Sequence, residues 1–127
     1  MIYLIKPAWY RSQLITIIQD YLKEKHPNKK LIIKRKYTYQ SPNEINTFIV
    51  INDSKLRPWD GLEISKKIRL YEPKALLILA STEIDYVKIF RSHIGFFGII
   101  DLKNISKKDI QNDIEDSIKR LTNQSNI

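Results

Sequence analysis

The chain has no cysteine, three glycines, two histidines and one methionine in 127 residues. Without thiols there is no disulfide and no thiolate metal site. The histidines, His26 and His93, stand far apart with no partner at metal-ligand spacing. So few glycines leave no glycine-rich phosphate turn; no P-loop and no nucleophile–base pair appears either, so an independent enzyme is not expected. No apolar run reaches the length of about 18 residues that a membrane span needs. The N-terminus lacks the basic, apolar and small-residue order of a secretory leader. Together these absences point to a cytoplasmic protein with no membrane contact. Acidic residues are also scarce: 14 against 22 basic ones, for a net charge of +8.

The length fits one domain with a modest core, read as residues 1–122 with a tail or linker start at 123–127. A hydrophobic content of 43% is ordinary for a globular chain. The cations are uneven. Lys23, Lys25, Lys29, Lys30, Lys34, Arg35 and Lys36 crowd one stretch, opposed only by Glu24. Such a patch is either a solvated face or a meeting place for phosphates or an acidic protein.

Apolar spacing orders the elements. Ile2 to Ile5 reads as a short strand. Tyr10 to Lys25 reads as a helix, because Leu14, Ile15, Ile17, Ile18, Tyr21 and Leu22 share a face; His26-Pro27-Asn28 stops it. Leu31 to Tyr39 reads as an edge strand, β-branched and aromatic but rich in cations. Thr47 to Asn52 is the third strand, and Leu62 to Glu72 a helix that ends before Pro73. Ala75 to Ala80 is wholly apolar, as a strand covered on both faces should be. Ile84 to Ser92 is a short helix and Phe96 to Ile100 the fifth strand. Ser106, with Asp109 three residues on, opens a last helix striped by Ile110, Ile114, Ile118 and Leu121. Strands alternating with helices predict a flavodoxin-like, doubly wound parallel sheet of order 2-1-3-4-5. Between the second and third strands, Gln40 to Asn46 has room for only about one helical turn. The second helix of the fold is therefore expected to be vestigial, leaving part of the sheet bare beside the basic patch.

Asp53 follows the third strand, where an open α/β sheet places its chemistry. The run Phe48-Ile49-Val50-Ile51-Asn52-Asp53, then Leu56, Asp60-Gly61, Ile68-Arg69, Pro73, Leu76 to Ser81 and the Tyr86 region resemble the receiver domain of bacterial response regulators. The resemblance covers roughly residues 1 to 120 and is nearest to receivers preceding LytTR-type DNA-binding domains. It implies that Asp53 is the phosphoacceptor position for a histidine kinase and Ser81 the switch position that senses the phosphoryl group. Ser81 reads equally as the N-cap of the short helix.

The departures from the family pattern are larger. The acidic pair that holds Mg²⁺ after the first strand is replaced by Lys6-Pro7-Ala8, and Mg²⁺ requires oxygen ligands. Lys6 instead can pair with Asp53 and take the place of the ion. The family's lysine after the fifth strand aligns with Asp101 or Leu102, and Lys103 comes late; a shift of one residue reverses side-chain direction. Asp101 is then a replacement ligand or a loop carboxylate capping N–H groups. The strand-five aromatic aligns near Gly98 or Ile99. The resemblance therefore implies a degenerate, pseudo-receiver module that works by protein contact, with no cofactor. Its dimer face would present Tyr86, Ile89, Phe90 and Phe96, with Val87 and Phe90 inside if they merely fill the core. Trp9, Tyr10 and Trp59 ring the pocket, and a Trp9–Trp59 lid over Asp53 follows from their loop positions. Two alternatives stay open. One is a working receiver phosphorylated on Asp53 with Mg²⁺. The other is a nucleic-acid-binding protein using the Lys29, Lys30, Lys34, Arg35 and Lys36 patch. DNA binding would otherwise need an output domain elsewhere.

Overall fold

The computed structural model describes residues 1–39 and 43–125, with the side chains of 123–125 excepted. Five parallel strands form one sheet: β1 (Ile2–Ile5), β2 (Leu31–Lys34), β3 (Thr47–Asn52), β4 (Leu76–Ser81) and β5 (Gly98–Asp101). Their order is β2-β1-β3-β4-β5, as the alternating pattern predicts. The helices are α1 (Gln13–Lys25), α2 (Gly61–Tyr71), α3 (Tyr86–Arg91) and α4 (Lys107–Ser125).

The pleat sorts the core into two layers. Side chains of a strand alternate between faces, so Ile2, Leu4, Ile49, Ile51, Ile78 and Ile100 face α1 and α4. Ile5, Phe48, Val50 and Leu77 face α2 and its Ile68. Each fully buried Leu or Ile contributes about 1.5–3 kcal/mol relative to exposure. β4 is buried along its whole length, which explains its unbroken apolar sequence.

Several boundaries move for local reasons. α1 starts at Gln13 and not at Tyr10, because Ser12 is extended and its side chain accepts the Leu14 N–H. β2 stops at Lys34, where its partner β1 ends at Ile5. The described residues 35–39 and 43–46 contain no helix; residues 40–42 of the expected vestigial turn lie outside the described ones. Tyr37 turns inward instead, 7% exposed, edge-on to Phe48 at 5.5 Å. Its hydroxyl donates to Glu72 at 2.6 Å. A single tyrosine thus plugs part of the face that the missing helix would cover. At the other end, Ser106 accepts the Asp109 N–H at 3.3 Å, the expected start of α4.

Candidate functional site

The site lies at the C-terminal ends of β3 and β4, where α2 approaches the sheet closely. A Cβ on Gly61 would sit 2.5 Å from the Ile51 carbonyl oxygen, so only glycine allows α2 to start there. Asp60 caps α2 by accepting the Leu62 and Glu63 N–H groups. Asn52 ties the junction together. Its side-chain oxygen accepts the Gly61 N–H at 3.2 Å, and its amide donates to Ser81 Oγ at 3.1 Å. The bridging role of Asn52 depends on two elements distant in the chain, the start of α2 and the end of β4.

Asp53 is half-buried and opens a 3-10 turn over Ser54–Leu56. Its Oδ1 accepts the Lys55 N–H at 3.0 Å and the Thr82 hydroxyl at 3.4 Å. No hydrogen bond or ion pair holds Oδ2 among the described residues. The carboxylate stands in a cleft of about 670 Å³ that Arg57, Asp60, Glu83 and Lys88 also line. Tyr10 lies close enough to feel it: burial, and then the charge of Asp53, raise the Tyr10 phenol above its ordinary value.

The expected charge partners are not brought to Asp53. Lys6 donates to the carbonyls of Pro7 and Ala8, at 3.2 and 3.1 Å. The reach back to its own turn is short and local, so the pairing of Lys6 with Asp53 is not made. Lys103 is exposed, and only its backbone N–H is held, by Asp101 Oδ1 at 2.9 Å. Asp101 also accepts from Asn104, so it is the loop carboxylate that caps N–H groups, turned into its own loop. Ser81 is fully buried at the end of β4. Its hydroxyl donates to the Glu83 carbonyl at 2.6 Å and accepts from Asn52. It does not cap α3; Asp85 does, accepting the Lys88 N–H. The hydroxyl that touches Asp53 belongs to Thr82, the next residue, which sequence spacing overlooked because a strand end sends neighbours in opposite directions. A two-tryptophan lid over Asp53 does not form: Trp59 lines the Asp53 cleft, its ring N–H donating to the Ile51 carbonyl at 2.8 Å, while Trp9, 69% exposed, does not line that cleft and meets Trp59 in a neighbouring groove beside Pro7.

These residues do not fit a Mg²⁺ site. Among the described residues, no three Asp, Glu or His side chains gather where they could hold a metal ion. Asp60 is spent capping α2, Glu83 takes the Ser54 hydroxyl at 3.0 Å, and Asp101 caps its loop. Asp53 alone offers one carboxylate where a hard dication needs several oxygens.

The second candidate region is α3. None of its residues is buried. Phe90 is 80% exposed, Tyr86 67% and Val87 60%. The expectation that Val87 and Phe90 lie inside is overturned. Ile94, 3% exposed, fills the core beneath this edge, and Arg69 clamps the following loop through the carbonyls of Ile94 and Gly95. Ile89 and Phe96 are half-buried, and Phe96 packs on the α2-side core.

Comparison with known structures finds the same fold in response-regulator proteins. A response regulator from Thermotoga maritima aligns over 93% of this chain and 97% of its own, with a TM-score of 0.65 and 15% identity. The phosphorylated cyanobacterial phytochrome response regulator RcpA aligns over 95% and 92%, at 0.64 and 16%. A CheY-like receiver domain protein from Methanospirillum hungatei aligns over 97% and 96%, at 0.61 and 13%. The fold is that of a response-regulator receiver domain. No family model and no curated protein matches the sequence. Among the described residues, no helix is long and apolar enough to cross a membrane.

Proposed function

We propose that this chain is a receiver-like regulatory module, of the kind that serves bacterial transcription regulators of the LytTR type. It acts in the cytoplasm through protein–protein contact, as a homodimer, without Mg²⁺-dependent phosphorylation and without enzymatic activity. DNA binding comes from an output domain elsewhere. The observation that carries this reading is the exposed ring cluster of Tyr86 and Phe90 with Val87 on a helix that buries nothing. Contiguous exposed apolar surface of this kind marks an interface. Asp53 supports the reading from the other side. Charge neutralisation is the main work of a phosphoryl-transfer site. Among the described residues, Arg57 and Lys88 are the cations lining the cleft, and neither forms an ion pair with Asp53.

The test is sedimentation of the chain with and without Mg²⁺ and beryllofluoride. A dimer present from the start and unchanged by the phosphoryl mimic is the expected result. A monomer that pairs only with the mimic would overturn it. A second reading, a working phosphoacceptor served by a histidine kinase, rests on Thr82 Oγ1 at 3.4 Å from Asp53 Oδ1. Shifts at Thr82 and Asn52 in NMR spectra on adding beryllofluoride would favour it.

A further inference from the structure

The β2 edge carries a surface that neither the core nor the Asp53 cleft uses. Where a helix is lacking, a cavity of about 500 Å³ remains beside Tyr37, walled by Tyr3, Lys34, Lys36 and Phe48. A second cavity, about 690 Å³, opens at the N-terminal ends of the strands, between Ile2, Ile118, Lys29 and Lys30. Met1, Asn43 and Glu44 line both, so the two cavities adjoin. Each has the volume of an ordinary ligand pocket. Thr47, fully buried, lines the larger one, and its hydroxyl has no hydrogen-bond partner among the described residues. Buried polar groups are nearly always paired, so this orphan is one an occupant, or water entering with it, can satisfy.

Cations outnumber carboxylates around these cavities: Lys29, Lys30, Lys34 and Lys36 against Glu44 and Glu72. Their carboxylates are already engaged: Glu44 with the N-terminal ammonium at 3.3 Å, and Glu72 with the Tyr37 hydroxyl and the Asn46 amide. Lys29, Lys30, Lys34, Arg35 and Lys36 form no ion pair among the described residues. The outer edge of β2 is also unpaired among the described residues, where β2 bonds only to β1. An open strand edge accepts an extended peptide through its backbone, and side chains beside it select the sequence. Nucleic acid fits less well. The rings here stack on one another, Tyr3 on Phe48 at 5.2 Å and Tyr39 on Tyr71 at 5.5 Å, so although Tyr39 and Tyr71 are exposed, each already covers a face of the other that a base would need.

We propose that this edge docks an acidic, extended segment of another protein. Its carboxylates meet the Lys29–Lys36 cations, and one aliphatic side chain seats in the larger cavity beside Ile2 and Ile118. The proposal is independent of the α3 dimer.

The test titrates the chain with three probes followed by NMR: a short acetylated Glu/Asp peptide with a central Leu, the same peptide with Ser in place of Leu, and a single-stranded oligonucleotide of equal charge. The Leu peptide is expected to bind with shifts centred on Lys29, Ile33 and Thr47. The Ser peptide should bind about tenfold more weakly, since a buried anchor carries most of such an affinity. Lys29→Glu combined with Lys36→Glu, both at exposed positions, should weaken the Leu peptide about tenfold or more. Equal binding of the two peptides, tighter binding of the oligonucleotide, or no binding at all would overturn the proposal. None of these outcomes bears on whether the chain is a dimer.

Discussion

The two open edges of the sheet solve the same problem in opposite ways. At the β5 edge, aromatic side chains stand outside: Phe90 is 80% exposed while Ile94 fills the core beneath. At the β2 edge, an aromatic side chain is drawn inside: Tyr37 is 7% exposed while cations line the rim. The difference teaches what each edge can meet. An apolar patch is complementary to its own copy and suits an isologous, two-fold contact. A cationic patch repels its own copy and suits a partner of opposite charge.

The largest effect expected from breaking this comparison is on stability. Tyr37→Ala removes a ring packed on Phe48 and leaves Glu72 without its hydroxyl, so it should cost about 3–5 kcal/mol. Phe90→Ala should cost roughly 0.5 kcal/mol or less, as surface substitutions do. Urea unfolding of both variants measures the contrast; equal losses would show that the edges are not different in kind. Next in size is association. Phe90→Asp should weaken a dimer by roughly 2 kcal/mol, about thirtyfold in Kd, if Phe90 sits at the centre of the contact. Sedimentation over a range of concentrations reads this, and an unchanged Kd would move the interface elsewhere.

A smaller effect concerns the way the chain enters the β2 edge. His26, at the end of α1, holds Glu115 of α4 at 2.7 Å, and the Tyr21 hydroxyl donates to the same oxygen at 2.5 Å. The His26 and Tyr21 hydrogen bonds keep the Glu115 carboxyl below its ordinary value of 4.5. Burial, followed by the Glu115 hydrogen bond, pushes Tyr21 up to about 12. A depressed carboxylate binds fewer protons folded than unfolded, so its stabilisation is present above about pH 4.5 and fades as the pH falls below it. Glu115→Gln should therefore flatten the acid limb of a plot of stability against pH, while the α3 variants leave that limb unchanged. A parallel downward shift of the whole curve would instead mean lost packing. The smallest effect is expected at Asp53. Asp53→Asn should leave the oligomeric state unchanged, because the proposed contact lies on α3; a change seen by sedimentation would return the site to the working-receiver reading.

Much of the fold was readable in the chain. The strand order rests on an apolar β4 flanked by helical periods, and these are local patterns that burial imposes directly. The shortness of the β2–β3 connection was equally plain, since a helix needs residues. The site was readable only in outline. Asp53 could be placed at its strand end, but not the residues facing it. Lys6 could pair with Asp53 by position but bends to its own carbonyls; Ser81 read equally as a phosphoryl-sensing switch and as a helix cap, and its hydroxyl bridges Asn52 to Glu83.

By itself, then, the sequence determined the order of the elements, the two-layer core and the imbalance of charge, because periodicity and composition act through each residue's own burial. Tertiary structure alone decided that Thr82 and not Ser81 touches Asp53, that Tyr37 replaces a helix, and that α3 leaves its rings in water. Those outcomes depend on the direction of a side chain at a strand end and on which distant residue fills a space first. Neither quantity is a property of any one stretch of chain.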